Sequence, residues 1–165
     1  MSKKLKTKYR EYVDHPRYGR KPIYSGSKMT AEMAADAHWS FDKENVFPET
    51  AIPANTDKQN YSIFPRKFYV DIERCCTQCK RWFIFFSVEQ RFWFEELGFY
   101  VDADCTKCID CRKNDQNFKL MQKRYQVLNV KSDRNAKETS ELKKIALELF
   151  QLGYIKDKTK VDRIG

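Results

Sequence analysis

The sequence predicts an α+β protein with a small core of short antiparallel strands plus helices, an extended basic N-terminal arm and C-terminal helices. Three observations carry this. All six cysteines fall in two short clusters, CCTQC (75–79) and CTKCIDC (105–111). Between and before them the apolar residues run first with a period of two, then at helical spacing. After them come two stretches with helical spacing and no β-favouring run.

The 165 residues carry a net charge of +9, 41% hydrophobic and 15% aromatic residues. Mean hydropathy is −0.77. Most aromatics lie between Tyr61 and Tyr100, so the apolar residues are concentrated in one stretch. A core that small usually needs a metal or disulfides to hold it. No apolar run is long enough to span a membrane, and the basic N-terminus has no apolar signal region, so a cytoplasmic location is expected. Cysteines there stay reduced, and paired C-x-x-C clusters then read as metal ligands.

Residues 1–28 hold 9 basic and 2 acidic side chains, a net of +7, with two prolines, two glycines and no apolar period. They are expected to be an extended arm, disordered alone and ordered on a partner. Residues 29–66 are read as a linker or loop. It contains a short helix in MTAEMAADAHWSF, where Thr30 precedes Met33 and Ala34, and a long connection with Pro48, Pro53 and Pro65.

Residues 67–130 are taken as the metal-binding domain. In KFYVDIER, Phe68, Val70 and Ile72 alternate with Tyr69, Asp71 and Glu73, the pattern of a half-buried strand. RWFIFF (81–86) is a second strand, and CCTQCK between them a tight turn. Ser87 and Gln90 have capping-box spacing before the helix VEQRFWFEEL, which Gly98 stops. FYVDA (99–103) is a third extended piece, followed by a helix from about Cys108 to Asn129. Residues 131–165 follow a polar break with ELKKIALELFQL. That helix puts Leu142, Ile145, Ala146, Leu149 and Leu152 on one face and is capped by Gly153; a basic tail completes the chain.

Cys76 and Cys79, with Cys108 and Cys111, offer four thiolates for one closed tetrahedral structural zinc. Cys105 with Cys108 makes a competing second pair. The helical period that begins just after Cys111 favours the Cys108/Cys111 pair, because a helix N-terminus suits thiolate charge. An iron–sulfur cluster on Cys105, Cys108 and Cys111 is a weaker alternative. Four cysteine ligands leave no open position for catalysis, His15 and His38 are read as surface or packing residues, and no phosphate loop or nucleophile motif is present. The chain is therefore not expected to be an enzyme.

The stretch CTQCKRWFIFFSVEQRFWFEELGFYVDADCTKCIDCRK (76–113) resembles a family of small bacterial zinc-ribbon, treble-clef-like domains. The matching residues are Cys76, Cys79, Phe85, Glu89, Gln90, Phe92, Gly98, Phe99, Cys108, Cys111 and Arg112. The resemblance implies zinc, the Cys108/Cys111 pairing and an intracellular bacterial or phage origin. The proline usual before the last pair is missing.

The charge asymmetry points to a polyanion, with RNA or a ribonucleoprotein surface such as a ribosome favoured over a specific DNA sequence. The candidate contacts at the knuckles are Lys80, Arg81, Lys107, Arg112 and Lys113, and on the next helix Lys119, Lys123 and Arg124. In the arm they are Lys3, Lys4, Lys6, Lys8, Arg10, Arg17, Arg20 and Lys21, interleaved with Tyr9, Tyr12, Tyr18 and Tyr24, which either stack on unpaired bases or touch the protein's own surface. The second reading is an adaptor docking a larger protein through the zinc knuckle and the 141–152 helix. No membrane partner is expected.

Overall fold

In a computed structural model, described for residues 8–38 and 41–164, the chain divides into two compact units, Met1–Cys111 and Arg112–Gly165. The elements in chain order are α1 (Ala31–Ala37), β1 (Val46–Pro53), β2 (Phe68–Cys75), β3 (Trp82–Phe85), α2 (Ser87–Arg91), α3 (Ile109–Val130), α4 (Ala136–Gln151) and α5 (Lys158–Asp162). The α+β class expected from the sequence holds. The division between units falls inside α3, within the segment 67–130 read as one domain.

The first unit is built on an antiparallel sheet in the order β1-β2-β3. The third strand is a correction. The piece 99–103 forms only a bridge between Tyr100 and Asn60, while β1 arises inside the expected connection. Pro48 and Pro53 hid it. An edge strand tolerates proline because one row of its amides faces outward, and β1 is an edge. Its register against β2 slips between Phe47 and Ile52. There the Thr50 hydroxyl donates to the Phe47 carbonyl at 2.6 Å and accepts the Asp71 amide at 2.7 Å, bridging the interrupted ladder.

With β1 on one side and β3 on the other, β2 is a central strand. Tyr69, Val70, Asp71 and Ile72 are all buried, so the half-buried alternation expected for this strand does not apply. One cluster gathers Val70, Ile72, Phe83 and Phe85 with Val13, Ala34, Phe41, Cys76, Cys105, Cys108 and Cys111, and another joins Tyr69 to Phe94 and Val101.

The described part of the arm is a strap. The Val13 amide donates to Trp82 at the outer edge of β3, and Ser25 donates to Glu49 on β1. Tyr9 and Tyr12 pack with Ile84 and Phe86, and the Tyr12 hydroxyl donates to Glu73. The apolar residues Tyr9, Tyr12 and Val13 find their partners far away in sequence, which a local period cannot reveal. Lys3, Lys4 and Lys6 lie outside the described residues.

The end of β3 turns into α2 differently from the expected capping box. Ser87 is the first helical residue, and the cap comes from β2. Asp71 Oδ1 accepts the Ser87 amide at 2.6 Å while its Oδ2 accepts the Ile23 amide at 2.8 Å. Gln90 reaches the Val70 and Phe85 carbonyls instead of the helix start. The helix continues as one π turn, Phe92–Glu96, and ends at Gly98 with φ +65°.

The second unit packs α4 and α5 with the following chain around Leu128, Leu142, Ala146, Leu149, Ile155 and Val161. α4 begins earlier than expected, at Ala136, because Asn135 and Glu138 form a reciprocal capping box. Gly153, at φ +77°, closes it. Its amide donates to Phe150, and the Tyr154 amide donates to Leu149, a Schellman motif. No helix among the described residues is long and apolar enough to cross a membrane.

Candidate metal centre

The antiparallel pair β2–β3 brings Cys75 opposite Trp82, so the six residues between must turn within one strand spacing. The Cys76 amide donates to the Arg81 carbonyl, and the Lys80 amide to Cys76, with Lys80 at φ 60°. This knuckle projects Cys76 and Cys79 from the same side. The second knuckle is stitched to it by the Thr77 amide and hydroxyl, both donating to Thr106. It runs straight into the first turn of α3, which carries Cys111.

The ligand atoms of Cys76, Cys79, Cys108 and Cys111 lie within 4.8 Å of one another. The Cys79 and Cys108 sulfurs are 3.7 Å apart. A regular tetrahedron with metal–sulfur bonds of about 2.3 Å has sulfur–sulfur edges of about 3.8 Å. Four thiolates at that spacing fit a tetrahedral zinc, and the residues present supply the whole donor set. The competing set is resolved against Cys105. That residue is buried, but its thiol donates to the Lys107 carbonyl at 3.4 Å. Cys75 is exposed, and its thiol donates to the Lys80 carbonyl at 3.5 Å.

The electrostatics prepare the cluster for a cation. Burial raises the Cys76 thiol, but the amides of Cys79, Cys108 and Gln78 outweigh it and bring it down to about 6. The Arg81 amide, opposed by burial and helped by the Arg81 guanidinium, lowers Cys79. Burial raises Cys108 and Cys111, and the neighbouring sulfurs push Cys111 further up. Four thiolates without a cation repel one another; a divalent ion removes that conflict and lets all four deprotonate. The site is closed, as a structural zinc site is.

The basic residues predicted as partner contacts separate into two groups. Several are engaged within the protein. Arg81 donates to Asp110 at 2.9 Å on the first turn of α3, Lys8 pairs with Glu73 at 2.9 Å, Arg20 with Asp14 at 2.7 Å, and Arg124 donates through Nε and Nη2 to the two carboxylate oxygens of Glu141. Arg10, Arg17, Lys21, Lys80, Lys113, Lys119 and Lys123 are exposed, whereas Lys107 and Arg112 are half-buried. On α3, Phe118, Met121, Tyr125 and Leu128 point into the second unit's core, which leaves Lys119 and Lys123 on the opposite side. The apolar face of α4 is consumed by the same core, whereas Leu152, just past its end, is 59% exposed.

Both histidines are interior. His15 Nδ1 accepts the Arg17 amide, and its ring stacks on Tyr18. His38 is lowered to about 4 by burial and by the nearby Arg66, with its Nε2 3.4 Å from Asp102. Sequence reasoning missed the buried Arg66, whose guanidinium lies 4.8 Å from the Phe94 ring centroid and 5.4 Å from that of Phe41. Burial lowers it to about 10, still charged at neutral pH. Nothing in the spacing around Pro65 marks it.

Comparison with known proteins adds one match. Residues 70–119 match a family described as a probable treble clef domain. No curated protein and no solved structure shows significant similarity to the chain. The match starts in β2, takes in both knuckles and ends in α3. This central segment is therefore a treble-clef-like domain built around one structural zinc on Cys76, Cys79, Cys108 and Cys111.

Proposed function

We propose that the protein is a non-enzymatic, cytoplasmic nucleic-acid-binding module whose zinc domain positions basic side chains against RNA or a ribonucleoprotein surface. The observation that carries the reading is the set of cations left at the surface. Lys80 stands at the tip of the first knuckle, Lys113, Lys119 and Lys123 follow along α3, and Arg10, Arg17 and Lys21 lie on the strap. The closed zinc site and the interior placement of both histidines support a role without catalysis. Four cysteines gathered as one thiolate donor set support a reducing compartment. Phosphate contacts release counterions, so binding weakens with salt in proportion to their number.

A second reading, docking on a larger protein, is favoured by one surface. Tyr61, Ile63, Phe64, Leu97, Phe99 and Tyr100 are all exposed, and the two loops that carry them are joined by the Asn60–Tyr100 bridge and a contact of the Ser62 and Tyr100 hydroxyls at 2.5 Å. Retention of the zinc-loaded chain on immobilised RNA across a salt series separates the two. Retention that falls steeply with salt supports the first reading, and none at low salt removes it in favour of the second.

A further inference from the structure

A shallow groove of about 440 Å³ opens in the first unit between the strap and α2, lined by Tyr18, Val88, Arg91, Phe92 and Glu96. Tyr18 is a fixed plate. Its ring lies on that of His15 at 4.5 Å between centroids and 15° between planes, and it meets Phe86 at 5.4 Å. His15 is itself held from both nitrogens: Nδ1 accepts the Arg17 amide at 3.2 Å, and Nε2 lies 3.7 Å from Glu89. The remaining surface of Tyr18 borders the groove. Phe92, 43% exposed, starts the π turn, an irregularity frequently found at functional sites.

The polar residues around these rings are not symmetric. Arg91 lines the groove and is exposed, opposite in charge to Glu96. Glu96 is oriented by Lys58 at 3.3 Å. An aromatic plate preorganised by packing, a second exposed ring, and the cation Arg91 in the same lining match one chemistry: a planar heterocycle joined to phosphates. An acidic peptide would use Arg91 but leave the rings uncovered.

We infer that this groove seats one unpaired nucleobase against Tyr18 and Phe92, with Arg91 on a flanking phosphate. The inference rests on the nucleic-acid reading and sharpens it. Glu96 repels phosphate from its end of the groove and offers an acceptor to a base N–H. A base inside a duplex is already stacked and paired, so the groove selects single strands. A merely basic surface does not.

The test is fluorescence anisotropy of the zinc-loaded full chain with a labelled twelve-nucleotide single-stranded RNA and its duplex, at equal salt. Phe92→Ala is expected to weaken single-strand binding about 5- to 100-fold and duplex binding less than about twofold, with an unchanged salt slope. Phe92→Tyr keeps single-strand affinity. Arg91→Gln lowers the slope of log affinity against log salt by about one. Zinc content and circular dichroism confirm that each variant is folded. Tyr18→Leu, which keeps an apolar side chain over His15, gives an independent loss on single strands. If single strand and duplex bind alike and neither ring variant changes either, the groove is not a base site and the basic-surface reading stands alone. If the wild-type chain binds neither RNA at low salt, both readings fall.

Discussion

Cys76 and Cys105 are both buried, yet only one of them belongs to the metal. The distinction is measurable. Cys76→Ser and Cys111→Ser are expected to reduce bound zinc from one per chain to about zero and to remove the near-UV signal of the first unit. Cys75→Ser and Cys105→Ser keep the zinc, and burying a hydroxyl at 105 costs about 1–3 kcal/mol. Elemental analysis alongside urea unfolding separates the two pairs. Asp71 is a second single-residue determinant. It is fully buried, and burial, opposed by the Ser87 and Ile23 amides, raises its carboxyl to about 6. The folded chain therefore takes up a proton that the unfolded chain, with its carboxyl near about 4, does not hold in this interval. From this residue alone, native stability rises as pH falls from 6 towards 4. A carbon-13 titration of the Asp71 carboxyl should give a midpoint near 6. Asp71→Ala leaves two buried amides without their acceptor and is expected to cost about 2–4 kcal/mol in urea unfolding.

Among elements, the strap behaves least like its sequence. Its charge suggests a free arm, but Tyr9, Tyr12 and Val13 are buried and the edges of β1 and β3 are partly covered by its backbone. Deleting residues 1–21 removes the three core residues Tyr9, Tyr12 and Val13 and uncovers the edge of β3, so the truncated chain is expected to unfold at a lower urea concentration. Tyr12→Ala alone is expected to cost about 3 kcal/mol, read as a lowered urea midpoint with unchanged zinc content. α4 shows the opposite case. Its spacing of Leu142, Ile145, Ala146 and Leu149 was legible from the sequence, since a helix carries its own period. Its first turn, by contrast, falls in the segment read as a polar break, although Asn135 lies three residues before Glu138 and the two form the capping box. Leu149→Ala, at a fully buried site, is expected to cost about 2–5 kcal/mol and to melt helical signal while the chain still holds its zinc.

At the scale of the whole molecule, metal binding and folding of the first unit are one equilibrium, because the four ligands sit together only when both knuckles are formed. Chelation with EDTA should abolish the near-UV signal of Trp82 and Trp93 while much of the helical signal of residues 112–165 remains, as a far-UV spectrum would record. If both signals vanish together, the second unit depends on the first. The cysteine spacing, the strand pair β2–β3, the helices α2 and α3 and the surplus of positive charge were all determined by the sequence itself. Each is a local pattern, set by turn geometry, a period of two or 3.6, or composition. Only the tertiary structure decided that β1 joins the sheet despite two prolines, that Asp71 rather than Ser87 caps α2, and that Tyr9 and Tyr12 join the core while Tyr18 borders a groove. It also decided that Arg81 and Arg124 serve carboxylates of their own chain. The physical reason is the same in each case: the partner lies far away in sequence, and no local propensity encodes a long-range contact.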